Sequence, residues 1–186
     1  GYPACRKYPK ESREINIDAN RLLLDLASKE QFILYASTGS TYGELIGELC
    51  TETTPLNPLT DYGKQKMEAE EMIMNRGNAV SFRFATAYGV SPRLRLDLLI
   101  NDFTFKAVKD KTLIVYEKHF MRTFIHVRDM ARSFLFTLEH LDTMNDEVYN
   151  VGDNANSKTP WAEEHLGEVW WDLSTVKWLW YEQGTQ

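Results

Sequence analysis

Tyr62 and Lys66 are the residues of this sequence whose types and spacing most directly indicate chemistry, because they lie four positions apart in Tyr62-Gly-Lys-Gln-Lys66. On a helix, residues with this spacing share one face. A phenol has an ordinary pKa of about 10, which is too high for a base near neutral pH. A neighbouring ammonium stabilises the phenolate and lowers its pKa toward the range where a general base is effective. The spacing also occurs by chance in many proteins, so its surroundings decide its meaning.

The elements around this pair are those that would hold it at the edge of a sheet. Residues 31–36 form a short apolar run that predicts a buried parallel strand. The small, polar segment 37–43 follows it and is typical of a loop at the carboxyl end of a strand. Residues 62–76 have helical apolar spacing and are followed by Gly77, a common helix terminator.

The rest of the chain alternates helical and extended patterns, which predicts an α/β fold with a parallel sheet. Residues 1–13 are rich in Lys, Arg, Pro and Tyr and are interpreted as a loop. We expect helices over 14–29, 62–76, 96–108 and 129–140, strands over 31–36, 80–84, 112–116, 123–127 and 147–152, and a weak helix over 160–171. All five tryptophans follow Pro160, and that tail does not continue the α/β pattern.

Composition excludes several classes of function. The 186 residues include 43% apolar side chains, enough for one sizeable core. The 21 basic and 27 acidic residues give a net charge of -6, without a basic patch for nucleic acid. No apolar run approaches the roughly 20 residues of a membrane helix. Cys5 and Cys50 lack metal-binding spacing, so we expect two reduced thiols, no metal site and a cytoplasmic protein.

Several segments resemble the extended short-chain dehydrogenase/reductase family, which contains the sugar-nucleotide epimerases and dehydratases. The family has a Ser/Thr-rich loop ending in Tyr-Gly, an acidic-Pro stretch and then Tyr-x-x-x-Lys, followed by Leu-Arg-x-x-Asn-x-Tyr-Gly, Arg-x-x-Ile-His-Val-x-Asp and Tyr-Asn-Val-Gly. This chain has matching segments in the same order at residues 37–43, 52–55, 62–66, 82–89, 122–129 and 149–152. Together the matches cover about residues 14–153.

The resemblance implies a doubly wound, Rossmann-like parallel sheet that lacks its first strands, with a small partial substrate-binding region. Residues 1–90 would be the C-terminal part of the NAD(P)-binding domain. Residues 91–153 would form a nucleotide-sugar region interleaved with late Rossmann elements, and residues 154–186 a Trp-rich tail. The family opens with a Gly-x-x-Gly-x-x-Gly turn for the dinucleotide, and these 186 residues contain no such turn. We therefore expect an N-terminally truncated member that lacks most of its cofactor site.

The resemblance also assigns roles to individual residues. Tyr62 would be the general base on a sugar hydroxyl, and Lys66 would lower the pKa of Tyr62 and hold the nicotinamide ribose of NAD, or of NADP. Thr38 would hydrogen-bond the reacting oxygen; the alternative for Thr38 is a hydroxyl satisfied by the loop backbone. Asn16 matches a helix Asn near the cofactor.

A second set of residues would bind the nucleotide sugar. Arg122 matches an arginine that pairs with the diphosphate, and Arg93 could reach the same anion or be a solvated surface residue. Thr86 occupies a position where many members have a substrate-contacting Asn, which puts the identity of the sugar in doubt. His126 would be a structural histidine on a strand.

The function that the resemblance implies is NAD-dependent epimerisation of a nucleotide sugar. Gly39 and Ser40 stand where the 4,6-dehydratases have an Asp-Glu pair, which favours an epimerase or a reductase over a dehydratase. One alternative is a non-catalytic truncated fragment of such an enzyme, and another is a protein-binding module that uses the Trp-rich tail. Family members often dimerise, which here would involve the helices near 14–29 and 62–76.

Overall fold

The computed structural model describes residues 1–43, 50–115, 123–152 and 177–180. These residues belong to two compact units. The first unit consists of Gly1–Ala85 and Arg128–Val151, and the second of Thr86–Val127 and Gly152–Gln186. Within the described ranges, no helix is both long and apolar enough to cross a membrane.

The described residues contain seven α-helices and seven strands. Helices α1 to α7 cover Tyr2–Lys7, Pro9–Arg13, Ala19–Leu26, Asp61–Arg76, Leu99–Asp110, Val127–Glu139 and Leu141–Met144. Strands β1 to β7 cover Ile33–Thr38, Ala79–Phe84, Thr86–Tyr88, Thr112–Val115, Phe124–His126, Val148–Val151 and Lys177–Trp180. A π-helical turn, Glu14–Asp18, precedes α3, and a 3-10 turn, Gly39–Thr41, follows β1.

The first unit is built on a parallel sheet with the strand order β1-β2-β6. β1 and β2 pair from Ile33 opposite Ala79 to Thr38 opposite Phe84. All six residues of β2 are buried, as expected for a parallel strand that is covered on both faces. The α/β prediction is therefore confirmed, and the carboxyl ends of the strands lie at one edge of the sheet.

Helix α4 covers this sheet and forms the core with it. The core cluster comprises Ile17, Tyr35, Ala69, Ile73 and Ala79. The helix has a defined start and end, which confirms the helix predicted over 62–76. Thr60 caps its first turn, where the Thr60 hydroxyl accepts a hydrogen bond of 3.1 Å from the backbone N–H of Gly63. Gly77 ends it at a φ of +77°, a conformation that glycine adopts without a side-chain penalty.

The second unit has two parallel strand pairs, β3 with β5 and β4 with β7. Helix α5 packs on β4. The close approach of Gly89 to His126 requires glycine, because a Cβ on Gly89, at a φ of +123°, would lie 2.8 Å from the His126 Nε2. Strand β3 was not anticipated from the sequence.

The prediction of a loop over residues 1–13 is wrong. The segment forms α1 and α2, each with a proline in its first turn, where a missing N–H does no harm. Cys5 and Ser12 are buried there, and α1 packs on α4. The helix predicted over 14–29 begins as the π-helical turn and ends at Leu26. The weak helix expected over 160–171 lies outside the described residues.

Candidate active site

Tyr62, Lys66 and Glu70 form a stripe along α4, because each follows the last by four residues. Tyr62 and Lys66 are partly buried, and Glu70 is only 4% exposed. The helix packs on β1 and β2, and the stripe contacts side chains from both strands. The structure therefore brings the predicted Tyr62–Lys66 pair onto one face of one helix, in a partly desolvated setting.

Lys66 contacts an aromatic ring of the sheet. Its Nζ lies 4.0 Å from the ring centroid of Tyr35 on β1, which is a cation–π contact. Burial lowers the pKa of Lys66 from its ordinary 10.5 to about 8, although the charge of Glu70 acts in the opposite direction. At neutral pH most of the Lys66 side chains therefore still carry their positive charge. Because this pKa is close to neutral pH, a modest change in the burial of Lys66 would alter the charged fraction.

Tyr35 is a buried polar residue within the core. Its hydroxyl is buried and has no hydrogen-bond partner among the described residues. Burial is the main cause that raises the pKa of Tyr35 far above its ordinary value, and Tyr62 and Glu70 add to it. The phenol of Tyr35 is thus neutral throughout the physiological pH range. Tyr62 is near enough for its charge to raise the pKa of Tyr35.

Glu70 makes a buried ion pair with Arg83 on β2. The Arg83 Nη2 and Nε atoms lie 2.6 and 3.0 Å from the Glu70 Oε1, and the Ser81 hydroxyl donates to Oε2 at 2.9 Å. Burial opposes the charge of Arg83, yet its bonds to Glu70 and Tyr42 hold its pKa above the ordinary value. This pair fixes the middle of α4 to the central strand of the sheet.

Arg83 also connects the sheet to the loop that follows β1. Its Nη1 donates 2.8 Å to the Tyr42 hydroxyl, which donates 2.7 Å to the Asn150 Oδ1 on β6. The Arg83 Nη1 donates 3.1 Å to the backbone oxygen of Glu52, and a Glu52 carboxylate oxygen accepts from the Asn150 N–H at 2.8 Å. One network therefore ties α4, β2, β6 and the loop that follows β1 together.

Thr38 is the last residue of β1 and begins this loop. Its hydroxyl oxygen accepts from the Ser40 N–H at 3.2 Å and lies 3.3 Å from the Ser40 hydroxyl. In this structure the Thr38 hydroxyl thus bonds within its own loop, which is the alternative considered for it from the sequence. The first turn of α4 lies against the same loop, since a Cβ on Gly63 would come within 2.9 Å of the Ser40 carbonyl oxygen. Tyr62, next to Gly63, is therefore held near the end of β1.

Asn16 lies in the π-helical turn and contacts α4 through Gln65. Its Nδ2 donates 2.8 Å to the Gln65 Oε1, and the Gln65 Nε2 donates 3.1 Å to the Ser12 hydroxyl. The same Nδ2 lies 3.7 Å from the Cys5 sulfur. Asn16 thus helps to attach the first helices to α4, and cofactor binding by Asn16 stays a prediction.

Thr86 lies in the second unit and lines a cavity of about 470 Å³. The other lining residues are Leu96, Asp97, Leu98, Leu99, Asp102 and Phe124. Both carboxylates have cationic partners, because Arg95 binds Asp97 at 2.6 Å and Lys106 binds Asp102 at 2.8 Å.

The remaining predicted substrate residues are Arg93 and Arg122. Arg93 is exposed and does not line it, and Arg122 lies outside the described residues. His126 lies on β5 with its ring 5.3 Å from that of Tyr88, which fits the structural role predicted for it. Sequence reasoning missed Tyr35 and Glu70, although the four-residue step from Lys66 to Glu70 was a usable signal for the latter.

Comparisons with known proteins agree with one another. A family model described as the NAD dependent epimerase/dehydratase family matches residues 1–152. An uncharacterized UDP-glucose epimerase of Bacillus subtilis is 29% identical, over 74% of this chain and 45% of its own length. A putative UDP-glucose 4-epimerase of Methanocaldococcus jannaschii is 27% identical, over 77% of this chain and 49% of its own length. This chain spans about half the length of these curated relatives.

A solved structure resembles the chain as well. The UDP-glucuronic acid 4-epimerase of Bacillus cereus, in complex with UDP-glucuronic acid and NAD, is 28% identical. The match covers 75% of this chain and 46% of that chain, with a TM-score of 0.62.

Proposed function

The chain belongs to the NAD dependent epimerase/dehydratase family, and we propose that the stripe on α4 serves NAD-dependent epimerisation of a nucleotide sugar. The observation that carries the proposal is the placement of Tyr62 and Lys66 on one face of α4, with the first turn of that helix against the loop that Thr38 begins. We propose that this arrangement serves to bring a base, a cation and a hydroxyl to the carboxyl end of a parallel strand, where α/β folds commonly bind their ligands.

Each side chain has a proposed role. The Tyr62 phenolate oxygen takes the proton from a sugar hydroxyl and later returns it. The Lys66 ammonium stabilises that phenolate by its charge. The Thr38 hydroxyl, which now bonds within its own loop, turns to the reacting oxygen when substrate is present.

The donors on this face fit the nicotinamide ribose of NAD, because Lys66 presents an ammonium and Tyr62 a phenol from adjacent turns of α4. We propose Asn16 as a further cofactor residue, on the resemblance alone. NAD held there would supply reversible hydride acceptance from the sugar carbon, and return of the hydride to the opposite face of that carbon would invert it. NADP would supply the same chemistry.

We propose a UDP-sugar as the substrate class, since two curated relatives are named as UDP-glucose epimerases, one uncharacterized and one putative, and the solved Bacillus cereus epimerase holds UDP-glucuronic acid. Thr86, in the cavity of the second unit, is proposed to contact the sugar, and Arg122 and Arg93 to pair with the diphosphate. A cytoplasmic homodimer through α3 and α4 is the proposed assembly. Leu22 and Leu26 of α3, 58% and 76% exposed, support it because they offer an apolar face.

The test is an epimerase assay on the complete encoded polypeptide with NAD and UDP-glucose, UDP-glucuronic acid and UDP-arabinose. Tyr62→Phe is expected to lower kcat by about 10²–10⁴-fold, because the proton transfer loses its base. Tyr8→Phe, at a half-exposed tyrosine of the first helices, is the matched control and should leave the rate unchanged. Absence of turnover with every nucleotide sugar, in a preparation that holds NAD, would contradict the proposal.

The second candidate is a chain that is not catalytic by itself, and the observation that favours it is that the chain spans about half the length of the curated relatives it matches. A calorimetric titration of NAD into this chain separates the two candidates. Tight binding of NAD by this chain would contradict the non-catalytic candidate. A flat titration of the chain, beside binding by the complete polypeptide, would support it.

A further inference from the structure

The contact between Tyr35 and Lys66 joins a core residue to the proposed site. Tyr35 is 7% exposed, belongs to the core cluster and pairs through its backbone with β2. The face of its ring lies 4.0 Å from the Lys66 Nζ. The ring is therefore held rigidly by the sheet, while the lysine approaches it from the helix.

An aromatic ring suits this position for an electrostatic reason. The partial burial of Lys66 removes water that would otherwise solvate its ammonium, and the negative face of an aromatic ring replaces part of that solvation. The Tyr35 phenol stays neutral, since burial holds its pKa far above the ordinary value. The attraction to the ring therefore persists across the pH range in which Lys66 titrates.

The charged and titratable groups around Lys66 can be named for the described residues. Glu70 and Tyr62 share its helix, and Tyr35 faces it from β1. The carboxylate of Glu70 is bonded to Arg83 and Ser81, so much of its charge is already compensated. The attraction between the Lys66 ammonium and the Tyr35 ring, by contrast, is not reduced by an ion pair of this kind.

We propose that Tyr35 is a positioning residue of the site, whose ring keeps the Lys66 ammonium charged and directed along the face of α4 that carries Tyr62. The proposal rests on the proposed function for its significance, because a charged Lys66 is what makes Tyr62 a base. Its physical content, a cation held by a ring, concerns this chain alone and can be tested without cofactor or substrate.

The experiment is an NMR titration of this 186-residue chain with ¹³C- and ¹⁵N-labelled lysine, in which Lys66→Arg assigns the signal. Tyr35→Phe keeps the ring and removes only the hydroxyl, so Lys66 should titrate as in the wild type. Tyr35→Leu keeps an apolar side chain and removes the ring. The midpoint of Lys66 should then fall by about 0.4–1.5 pH units, the equivalent of a partly or fully desolvated cation–π contact. A midpoint that is the same in all three proteins would overturn the proposal.

A second series keeps the shape of the ring, in case Tyr35→Leu does not fold. Phenylalanine with one to four ring fluorines at position 35 weakens the negative face step by step. The midpoint of Lys66 should fall in the order of fluorine number, and a flat series would overturn the proposal.

The complete polypeptide gives the corresponding readout in catalysis. The pH–rate profile of Tyr35→Leu should shift in the same direction as its Lys66 midpoint, and Tyr35→Phe should keep the wild-type profile. An unshifted profile beside a shifted midpoint would refute the positioning role. A polypeptide without epimerase activity but with the expected midpoints would contradict the proposed function and leave the ring–cation contact confirmed.

Discussion

Replacing Glu70 by Gln should destabilise the first unit strongly, because the substitution leaves Arg83 buried with its charge unbalanced. The pair is 2.6 Å apart at its closest, and both side chains are less than 10% exposed. Removing one member of a buried pair costs about 3–5 kcal/mol. Gln keeps one acceptor oxygen for Arg83 or Ser81, so we expect the lower end of that range, about 3 kcal/mol.

The assay is urea unfolding of the chain, followed by circular dichroism. With a slope of about 2 kcal/mol per M, a loss of about 3 kcal/mol lowers the midpoint by about 1.5 M. Glu68→Gln is the matched control on the same helix. Glu68 also binds an arginine, Arg13, at 3.0 Å, but both side chains are more than one-third exposed. An exposed pair contributes little, so the control should unfold near the wild-type midpoint.

A double-mutant cycle separates the ion pair from general damage to the core. Arg83→Met alone should also be strongly destabilising, since it strands the Glu70 carboxylate. The combined variant should lose less than the sum of the two single losses, by more than about 1 kcal/mol. Additive losses, or a Glu70→Gln midpoint equal to that of the Glu68→Gln control, would refute the reasoning.

Three further predictions concern packing, hydrogen bonding and pH. Gly63→Ala should lower stability by about 1–3 kcal/mol in urea unfolding, because its Cβ would lie 2.9 Å from the Ser40 oxygen. Gly39→Ala, whose Cβ would come no closer than 3.7 Å, should be tolerated, and equal losses would argue against this account. Tyr42→Phe removes a hydroxyl with two hydrogen bonds of 2.7 and 2.8 Å and should cost about 1–3 kcal/mol; an unchanged midpoint would disprove this. Since the pKa of Lys66 is about 8 when folded and 10.5 ordinarily, the unfolded state binds more protons between these values. The free energy of unfolding should therefore rise from about pH 8 to 10.5, relative to a Lys66→Met variant, and a difference that does not change with pH would count against it.

The parts of the fold with local signals were predictable from the sequence. Helix α4 carries a Thr60 cap, an apolar pattern and a terminal glycine, so its bounds agree with the prediction to within one residue. β2 was predicted over 80–84, and the structure confirms a strand at Ala79–Phe84. Tyr62 and Lys66 are four residues apart, so a correctly predicted helix is enough to place both on one face.

The parts that depend on distant contacts were not predictable in this way. Residues 1–13 lack apolar periodicity, and their helices are held by packing of α1 on α4, where Cys5 lies 3.8 Å from Gln65. Tyr35 and Lys66 are far apart in sequence, and only the pairing of helix and sheet brings them together. A buried Glu70 contradicts the usual expectation that carboxylates face water, and its partner Arg83 becomes evident only in the folded chain.

The strand order β1-β2-β6 has a consequence for the order in which the first unit folds. β1, α4 and β2 are near one another in the sequence, with residues 39–60 between β1 and α4, so their contacts close comparatively short loops. Pairing of Ser81 with Val148 closes a much longer one, across the segment that includes β3, α5, β4 and β5. Longer loops cost more entropy to close and slow the formation of the contacts that depend on them. We therefore expect the β1-α4-β2 segment, which contains Tyr62, Lys66 and the Glu70–Arg83 pair, to form before β6 docks. The bond from Tyr42 to Asn150 should then form only after β6 has docked.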